Sequence, residues 1–310
     1  MSNQPLVSVG IPTYNRSESL KRSISSVINQ TYTNLEIIIS DNASTDETQQ
    51  ICEEFSKLDS RIKYIRQSEN FGAGNNFKFV LEKATGEYFM WLGDDDWLDT
   101  DYIESCISFF IHNPNYALVG GRAAYYFEVT KIDHFGRIMT LEHESNTKRV
   151  LAYYEQVWDN GIFYSLIRRE LIPRTLKDCL GGDWLLIASI IFQGKAKTIE
   201  NINIHRQARL NDTMEKLAAR LGLHPFHGKY PMFSISISAF SDILFNSIYS
   251  QINLIARLNL AVKVLSLLWS KYSFPNLKHN LVVKVAQITP KLIYPYIRFL
   301  FRTIKYLNSL

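Results

Sequence analysis

Glu87-Tyr88-Phe89-Met90-Trp91-Leu92-Gly93-Asp94-Asp95-Asp96 joins a run that reads as a buried β-strand to three consecutive carboxylates. Three adjacent anions repel one another, and holding them on a rigid strand end is costly unless a cation or solvent offsets the charge. A hard divalent ion with oxygen ligands, Mg²⁺ or Mn²⁺, suits that position, above all one that also holds a diphosphate. The alternative is a solvated turn whose acids cap a following helix, expected to begin near Asp99 and to run through Tyr102, Ile103, Cys106 and Phe110.

Upstream, short β-rich runs alternate with helical patterns, the signature of a mostly parallel sheet with crossover helices. Leu6–Ile11 reads as the first strand, stopped by Pro12, and Ser17–Asn29 as a helix with Leu20, Ile24, Val27 and Ile28 on one face. Leu35–Ser40 is a second strand ending on Asp41-Asn42. Ser44-Thr45-Asp46-Glu47 reads as a capping box opening a second helix, whose Ile51, Phe55 and Leu58 face inward. Ile62–Ile65 is a third strand, and the helix after Gly72-Ala73-Gly74 stops at Gly86, before the strand that delivers the aspartates.

In open sheets of this kind ligands bind beyond the carboxyl ends of the strands. The residues there are Thr13-Tyr14-Asn15-Arg16, Asp41-Asn42-Ala43-Ser44, Asn70-Phe71-Gly72 and Asp94-Asp95-Asp96. They supply an acceptor for a base (Asp41), hydroxyl and amide groups for a ribose, a cation near phosphates (Arg16) and metal ligands. Each cluster alone also reads as ordinary turn chemistry; four together are less easily dismissed.

Val7-Ser8-Val9-Gly10-Ile11-Pro12-Thr13-Tyr14-Asn15-Arg16, then Ser40-Asp41-Asn42-Ala43-Ser44-Thr45-Asp46, then the aspartate run resemble glycosyltransferase family 2, with three motifs in the family's order. The resemblance implies a GT-A fold, an α/β domain with a mostly parallel central sheet flanked by helices, here followed by a helical C-terminal extension. It also implies inverting transfer of a sugar from a nucleoside diphosphate. Pro12, Thr13, Tyr14, Arg16 and Asn70 would line the nucleotide-sugar pocket. Asp41 would accept from a pyrimidine N3–H, favouring UDP or dTDP donors. Asp94 and Asp95 would serve the donor, and Asp94 and Asp96 the metal, Mn²⁺ or Mg²⁺. The chain departs from the family's commonest pattern in having Gly93 ahead of a triplet, so either Asp94 with Asp96 or Asp95 with Asp96 fills the ribose and metal roles. Asn75-Asn76 stands where many relatives show Arg-Asn, a form reminiscent of enzymes that attach deoxy sugars to bacterial surface polysaccharides.

An inverting transfer needs a general base for the acceptor hydroxyl. Gly181-Gly182-Asp183-Trp184-Leu185-Leu186 resembles the family's acidic motif at a helix start, which makes Asp183 the candidate; a plain N-cap is the competing role. His205 and Arg206 follow the apolar run from Thr198 to Ile204. In similar enzymes this position reaches the diphosphate or metal, so His205 is a candidate metal ligand and Arg206 a candidate bidentate phosphate holder.

The 310 residues suffice for one α/β domain and an appendage, divided as 1–215 and 216–310. Cys52, Cys106 and Cys179 lack metal-ligand spacing and read as small buried residues in a reducing compartment. The amino terminus enters the first strand without the pattern of a secretory signal. Net charge is +4, yet residues 243–310 contain nine Lys or Arg and no acid, which leaves 25 bases against 30 acids in the rest. This tail is also rich in Leu, Ile, Trp, Tyr and Phe, with no uncharged apolar run long enough to span a bilayer. Such a pattern fits amphipathic helices at an anionic membrane surface; a packed helical subdomain or a homo-oligomer surface is the alternative. No nucleic-acid recognition module accompanies the charge. The acceptor expected beside such a tail is a saccharide on a polyprenyl lipid, at the cytoplasmic face of a bacterial cell membrane. Rival functions are a nucleotidyltransferase, for which the loop after the first strand is poor in glycine, and a non-catalytic membrane-bound scaffold. Acceptor contacts are expected between Gly120 and Lys177, where Tyr125-Tyr126-Phe127 and Tyr153-Tyr154 give no recognisable code.

Overall fold

Four parallel strands form the heart of the sheet: β1 (Val7–Thr13), β2 (Leu35–Asp41), β3 (Ile62–Arg66) and β4 (Tyr88–Trp91), side by side in the order β3-β2-β1-β4. The helices α1 (Ser17–Ile28), α2 (Thr48–Leu58) and α3 (Ala73–Lys83) make the crossovers. Because strands with helices on both faces have no solvent face, their sequences are near-continuous Val and Ile rather than alternating. Every residue of β1, β2 and β4 is buried. One face packs Val7, Val9 and Ile11 with Leu20, Ile24 and Val27 of α1. On the other, Gly10 lets α3 approach so closely that a Cβ would stand 2.8 Å from Val80 Cγ2.

This computed structural model describes residues 4–159, 161–207 and 213–273. Beyond β4 the sheet continues through β9 (Leu166–Arg168), antiparallel to both neighbours, to β6 (Tyr116–Tyr126), then β10 (Lys195–Gln207), parallel to β6, and the two-residue β5 (Trp97–Leu98) at the edge. Short strands β7 (His134–Phe135) and β8 (Thr140–Leu141) pair with β6 and β10. The helices α4 (Tyr102–His112), α5 (Asn146–Gln156) and α6 (Gly182–Gln193) complete this part. The outcome is the α/β architecture expected from the alternation of patterns.

Three local expectations are corrected. First, β1 does not stop at Pro12. Pairing with β4 ends at Gly10↔Trp91, and Pro12, which shares Gly10's side of the strand, turns its missing N–H to a side with no neighbour, so pairing with β2 runs on to Thr13↔Asp41. Second, Ser44 does not cap α2: its hydroxyl accepts Asn15 N–H at 2.9 Å, and the helix starts at Thr48. Asp46 instead accepts the N–H groups of Thr48 (3.0 Å) and Ser17 (3.1 Å), serving the first turns of both α1 and α2. Third, the segment after the aspartates forms β5 before α4 begins at Tyr102, because Asp99 is engaged by β10.

The described residues divide into two compact units, residues 4–178 with 182–207, and Cys179–Gly181 with 213–273. The second is helical: α7 (Met214–Arg220), α8 (Pro225–Lys229), α9 (Pro231–Phe245) and α10 (Leu254–Leu268). Helices α9 and α10 pack as a hairpin that buries Ile235, Ala239, Phe240, Ile243, Leu260, Ala261, Val264 and Leu268. Among the described residues no helix is long and apolar enough to cross a membrane. The expected basic positions Lys278, Lys284, Lys291, Arg298, Arg302 and Lys305 lie outside the described residues.

Candidate active site

The order β3-β2-β1-β4 brings the four carboxyl-terminal clusters named from the sequence to one edge of the sheet. The loops after β1 and β2 clasp each other. Asn15 N–H donates to Ser44 Oγ, and Asn15 Oδ1 accepts Thr45 N–H at 2.8 Å. Asn15 and Ala43 both have left-handed backbones, with φ of 52° and 61°. Asn tolerates that region readily; Ala does not, so the clasp holds strain at Ala43. Tyr14 and Arg16 are exposed on this rim, Pro12 and Thr13 buried beneath it.

Asp41 is fully buried, with Oδ1 accepting Ser44 N–H (2.8 Å), Oδ2 accepting the Tyr64 hydroxyl (3.0 Å), and Arg66 Nε at 3.4 Å. Asn42 reaches across to Asn70 Oδ1 (2.7 Å) and accepts Phe71 N–H (3.0 Å), fixing the loop that starts α3. Asn76, in the first turns of α3, donates to Ser40 O (3.0 Å) and Thr13 O (3.3 Å), tying the ends of β2 and β1 together.

The aspartates form a tight turn, with Asp96 N–H donating to Gly93 O at 3.1 Å. A Cβ at Gly93 would stand 2.7 Å from Asp96 Oδ2, so a larger residue there displaces that carboxylate. Helix α1 grips this turn from below. Ser23 Oγ donates to the carbonyls of Asp96 (2.5 Å) and Gly93 (3.1 Å), and Arg22 Nη2 donates to Asp95 O (3.0 Å). Asp94 is 8 % exposed, Asp95 9 % and Asp96 2 %, so Asp96 is the inward member. Its carboxylate accepts Arg206 Nε and Gln207 N–H, both at 3.2 Å. Burial pushes the Asp96 carboxyl above its ordinary range, and Asp95 alongside adds to this, against the opposing pull of Arg206.

Arg206 lies within β10, its guanidinium 4.1 Å from the Tyr164 ring centroid and its Nη1 3.4 Å from the Tyr125 hydroxyl. Burial raises the pKa of Tyr164; Arg206 opposes the rise, while Asp96, Asp95 and Asp183 reinforce it. Asp183 is exposed in the first turn of α6.

The expectation that His205 joins the aspartates around an ion is not met. Its Nε2 is 2.7 Å from Asp99 Oδ1 and its Nδ1 2.8 Å from the Tyr126 hydroxyl, so neither nitrogen offers a lone pair to a metal in this arrangement. The ring is also sandwiched into the wall, stacked on Trp97 at 5.0 Å, and Trp97 in turn carries Arg22 3.7 Å from its centroid. His205 thus buttresses the site. Among the described residues no three His, Cys, Asp or Glu side chains make a cage for an ion. Mg²⁺ and Mn²⁺ at nucleotide sites take one or two carboxylates and complete their shells with phosphate oxygens and water. The hard-oxygen donors of the acidic turn fit that mode.

Arg22, Ser23, Tyr164, Gln207 and the Asp99–His205 pair were not singled out from the sequence. One signal was present: Ser23 occupies an inward position in the Leu20, Ser23, Ile24, Val27 stripe of α1, where a polar side chain requires a buried partner.

The fold and this edge define an α/β domain of the GT-A type. S. aureus TarS, residues 1–349 in complex with UDP-GlcNAc, has the same fold, with a TM-score of 0.62 and 15 % identity over 87 % of this chain and 74 % of that one. Residues 8–176 match the family described as Glycosyl transferase family 2, and the chain belongs to it. An uncharacterized glycosyltransferase of Haemophilus influenzae is 42 % identical over 120 residues, 39 % of this chain and 37 % of that protein. A Campylobacter jejuni protein named GalNAc(5)-diNAcBac-PP-undecaprenol beta-1,3-glucosyltransferase is 32 % identical over 172 residues, 54 % of this chain and 53 % of that protein. The chain therefore spans under two fifths of the first relative and about half of the second.

Proposed function

We propose that this protein is an inverting glycosyltransferase of bacterial polysaccharide or glycan synthesis. It moves a sugar from a uridine or thymidine diphosphate donor to a hydroxyl of a saccharide carried on a polyprenyl lipid. The observation that carries this reading is the convergence, at one sheet edge, of the Asp41 loop, the acidic turn and Arg206, whose Nε donates to Asp96 at 3.2 Å. The undecaprenol-linked acceptor in the name of the C. jejuni relative supports the lipid-linked substrate.

In this reading Asp41 receives the N3–H of uracil or thymine, Thr13, Tyr14, Arg16 and Asn70 line the nucleoside, and Asp96, with either Asp94 or Asp95, meets ribose and ion at the turn that Arg22 and Ser23 support. A divalent ion bound there supplies Lewis-acid stabilisation of charge on the leaving diphosphate. Arg206, held by the faces of Tyr164 and Tyr125, adds a fixed cation on the same side. Asp183 takes the proton of the acceptor hydroxyl as that oxygen attacks the anomeric carbon from the opposite face. Residues 1–215 hold this chemistry, and residues 216–310 attach the enzyme to the inner face of the cell membrane.

Donor turnover with and without divalent metal tests the assignment. Metal-dependent release of a nucleoside diphosphate is the expected result. Pyrophosphate release from a nucleoside triphosphate would identify a nucleotidyltransferase, and no turnover with any nucleotide sugar a scaffold.

A further inference from the structure

The connection between α9 and α10 has a composition unlike a solvated turn. From Ile243 to Ala256 there is no charged side chain. At the end of this hairpin Phe245 is 58 % exposed, Leu254 70 % and Ile255 77 %. Folding has not spared these three for want of order, because the turn is fastened. Asn246 Oδ1 accepts Ile248 N–H at 3.1 Å, and Asn253 Oδ1 accepts Ala256 N–H at 2.9 Å, capping α10. Arg257, in the first turn of α10, donates to Leu244 O and to Ile252 O, both at 3.2 Å, which brings the end of α9 and the start of α10 together. Three large apolar side chains are thus held outward on a rigid tip whose rim is Asn, Ser and Gln.

We propose that this tip is a membrane-insertion element, which enters the interface of an anionic bilayer with Phe245, Leu254 and Ile255 leading. The proposal deepens the reading that the C-terminal region attaches to a membrane, and rests on it. Two observations select a lipid surface over a protein partner. A tip with no charge enters the headgroup layer without desolvating an ion. The chain from Ile243 onward carries nine basic residues and no carboxylate, the balance that attracts anionic lipid and repels no phosphate.

The test uses the full chain and extruded vesicles, either pure phosphatidylcholine or with about a third phosphatidylglycerol. Wild type is expected to sediment with the anionic vesicles. The triple variant Phe245→Ser, Leu254→Ser, Ile255→Ser is expected to lose at least about tenfold in partition, since each buried apolar group contributes substantially to transfer. Its circular dichroism and turnover of soluble donor should match wild type, because all three side chains are more than half exposed. Equal partition of variant and wild type overturns the assignment of the tip while leaving membrane attachment standing. A wild type that ignores anionic vesicles overturns both, with donor turnover still reporting separately on the glycosyltransferase reading. Sedimentation velocity supplies the last arm: self-association lost in the variant without a change in partition makes the tip a contact between copies and ends the membrane proposal.

Discussion

Asp183 and Asp96 stand in opposite environments and should fail differently when changed. Asp183 is exposed and at a helix start, so Asp183→Asn removes a proton acceptor while preserving shape. Transfer should fall by roughly 10²-fold or more, with donor affinity unchanged in a direct binding titration. Asp96 is buried against Arg206 Nε and Gln207 N–H. Asp96→Ala therefore leaves a guanidinium without its carboxylate, and should weaken metal-dependent donor binding and lower the unfolding midpoint together. Equal loss of donor affinity in both variants would contradict this division. At this scale the sequence disclosed the residues that carry charge at strand ends, Asp41, Asp94, Asp95, Asp96 and Arg206. It did not disclose what orients them, because Arg22 and Ser23 lie some 70 residues from the turn they grip, and Tyr164 acquires meaning only when β10 brings Arg206 over its ring. His205 was misjudged for the same reason: its partners Asp99 and Tyr126 come from separate elements.

Strands and helices were legible where periodicity alone decides them, as in α1 with its Leu20, Ile24, Val27 face and in the Ile-rich β2. Errors fell at element ends, where a single hydrogen bond to a distant loop moves a boundary: Asn15 takes Ser44 from its cap, and Asn203 and His205 take Asp99 from α4. The amino-terminal end of the parallel strands has its own polar lock. Glu36 of β2 is buried, bound by Ser8 of β1, Thr85 and Gly86 before β4, and Lys63 Nζ of β3 at 2.7 Å. Burial alone would raise its pKa, but the hydrogen bonds from Lys63, Ser8 and Thr85 prevail and bring it down to about 2. A carboxylate with a depressed folded pKa contributes stability above its unfolded value, near 4.3, and loses it as pH falls towards 2. The contribution is roughly 2 kcal/mol, less than the full shift because Lys63 is half exposed and screened. Denaturant midpoints should therefore fall for wild type between about pH 5 and pH 2. Glu36→Gln should be weaker at pH 7 and show a flatter decline over that interval.

For the molecule as a whole, the nucleotide site proposed at the end of the parallel core should have an occupant that stabilises the fold. A ligand that binds only the folded chain adds about 2.7 kcal/mol at a hundred times its Kd. For a chain of this size that corresponds to a rise of roughly 5 °C or more in thermal midpoint. The proposed base contact gives the effect a direction. Asp41 is an acceptor, already bound by Ser44 N–H, the Tyr64 hydroxyl and Arg66, and sits where further donors rather than acceptors are welcome. Uracil and thymine present an N3–H, whereas cytosine presents a lone pair that faces a carboxylate unfavourably. In the presence of Mn²⁺, UDP or dTDP should raise the midpoint by several degrees more than CDP at equal concentration. Asp41→Asn should narrow that gap, because its amide can turn an N–H to cytosine while its oxygen still accepts from Ser44. Equal stabilisation by UDP and CDP in the wild-type chain would remove Asp41 from base recognition, and the preference for uridine and thymidine donors with it.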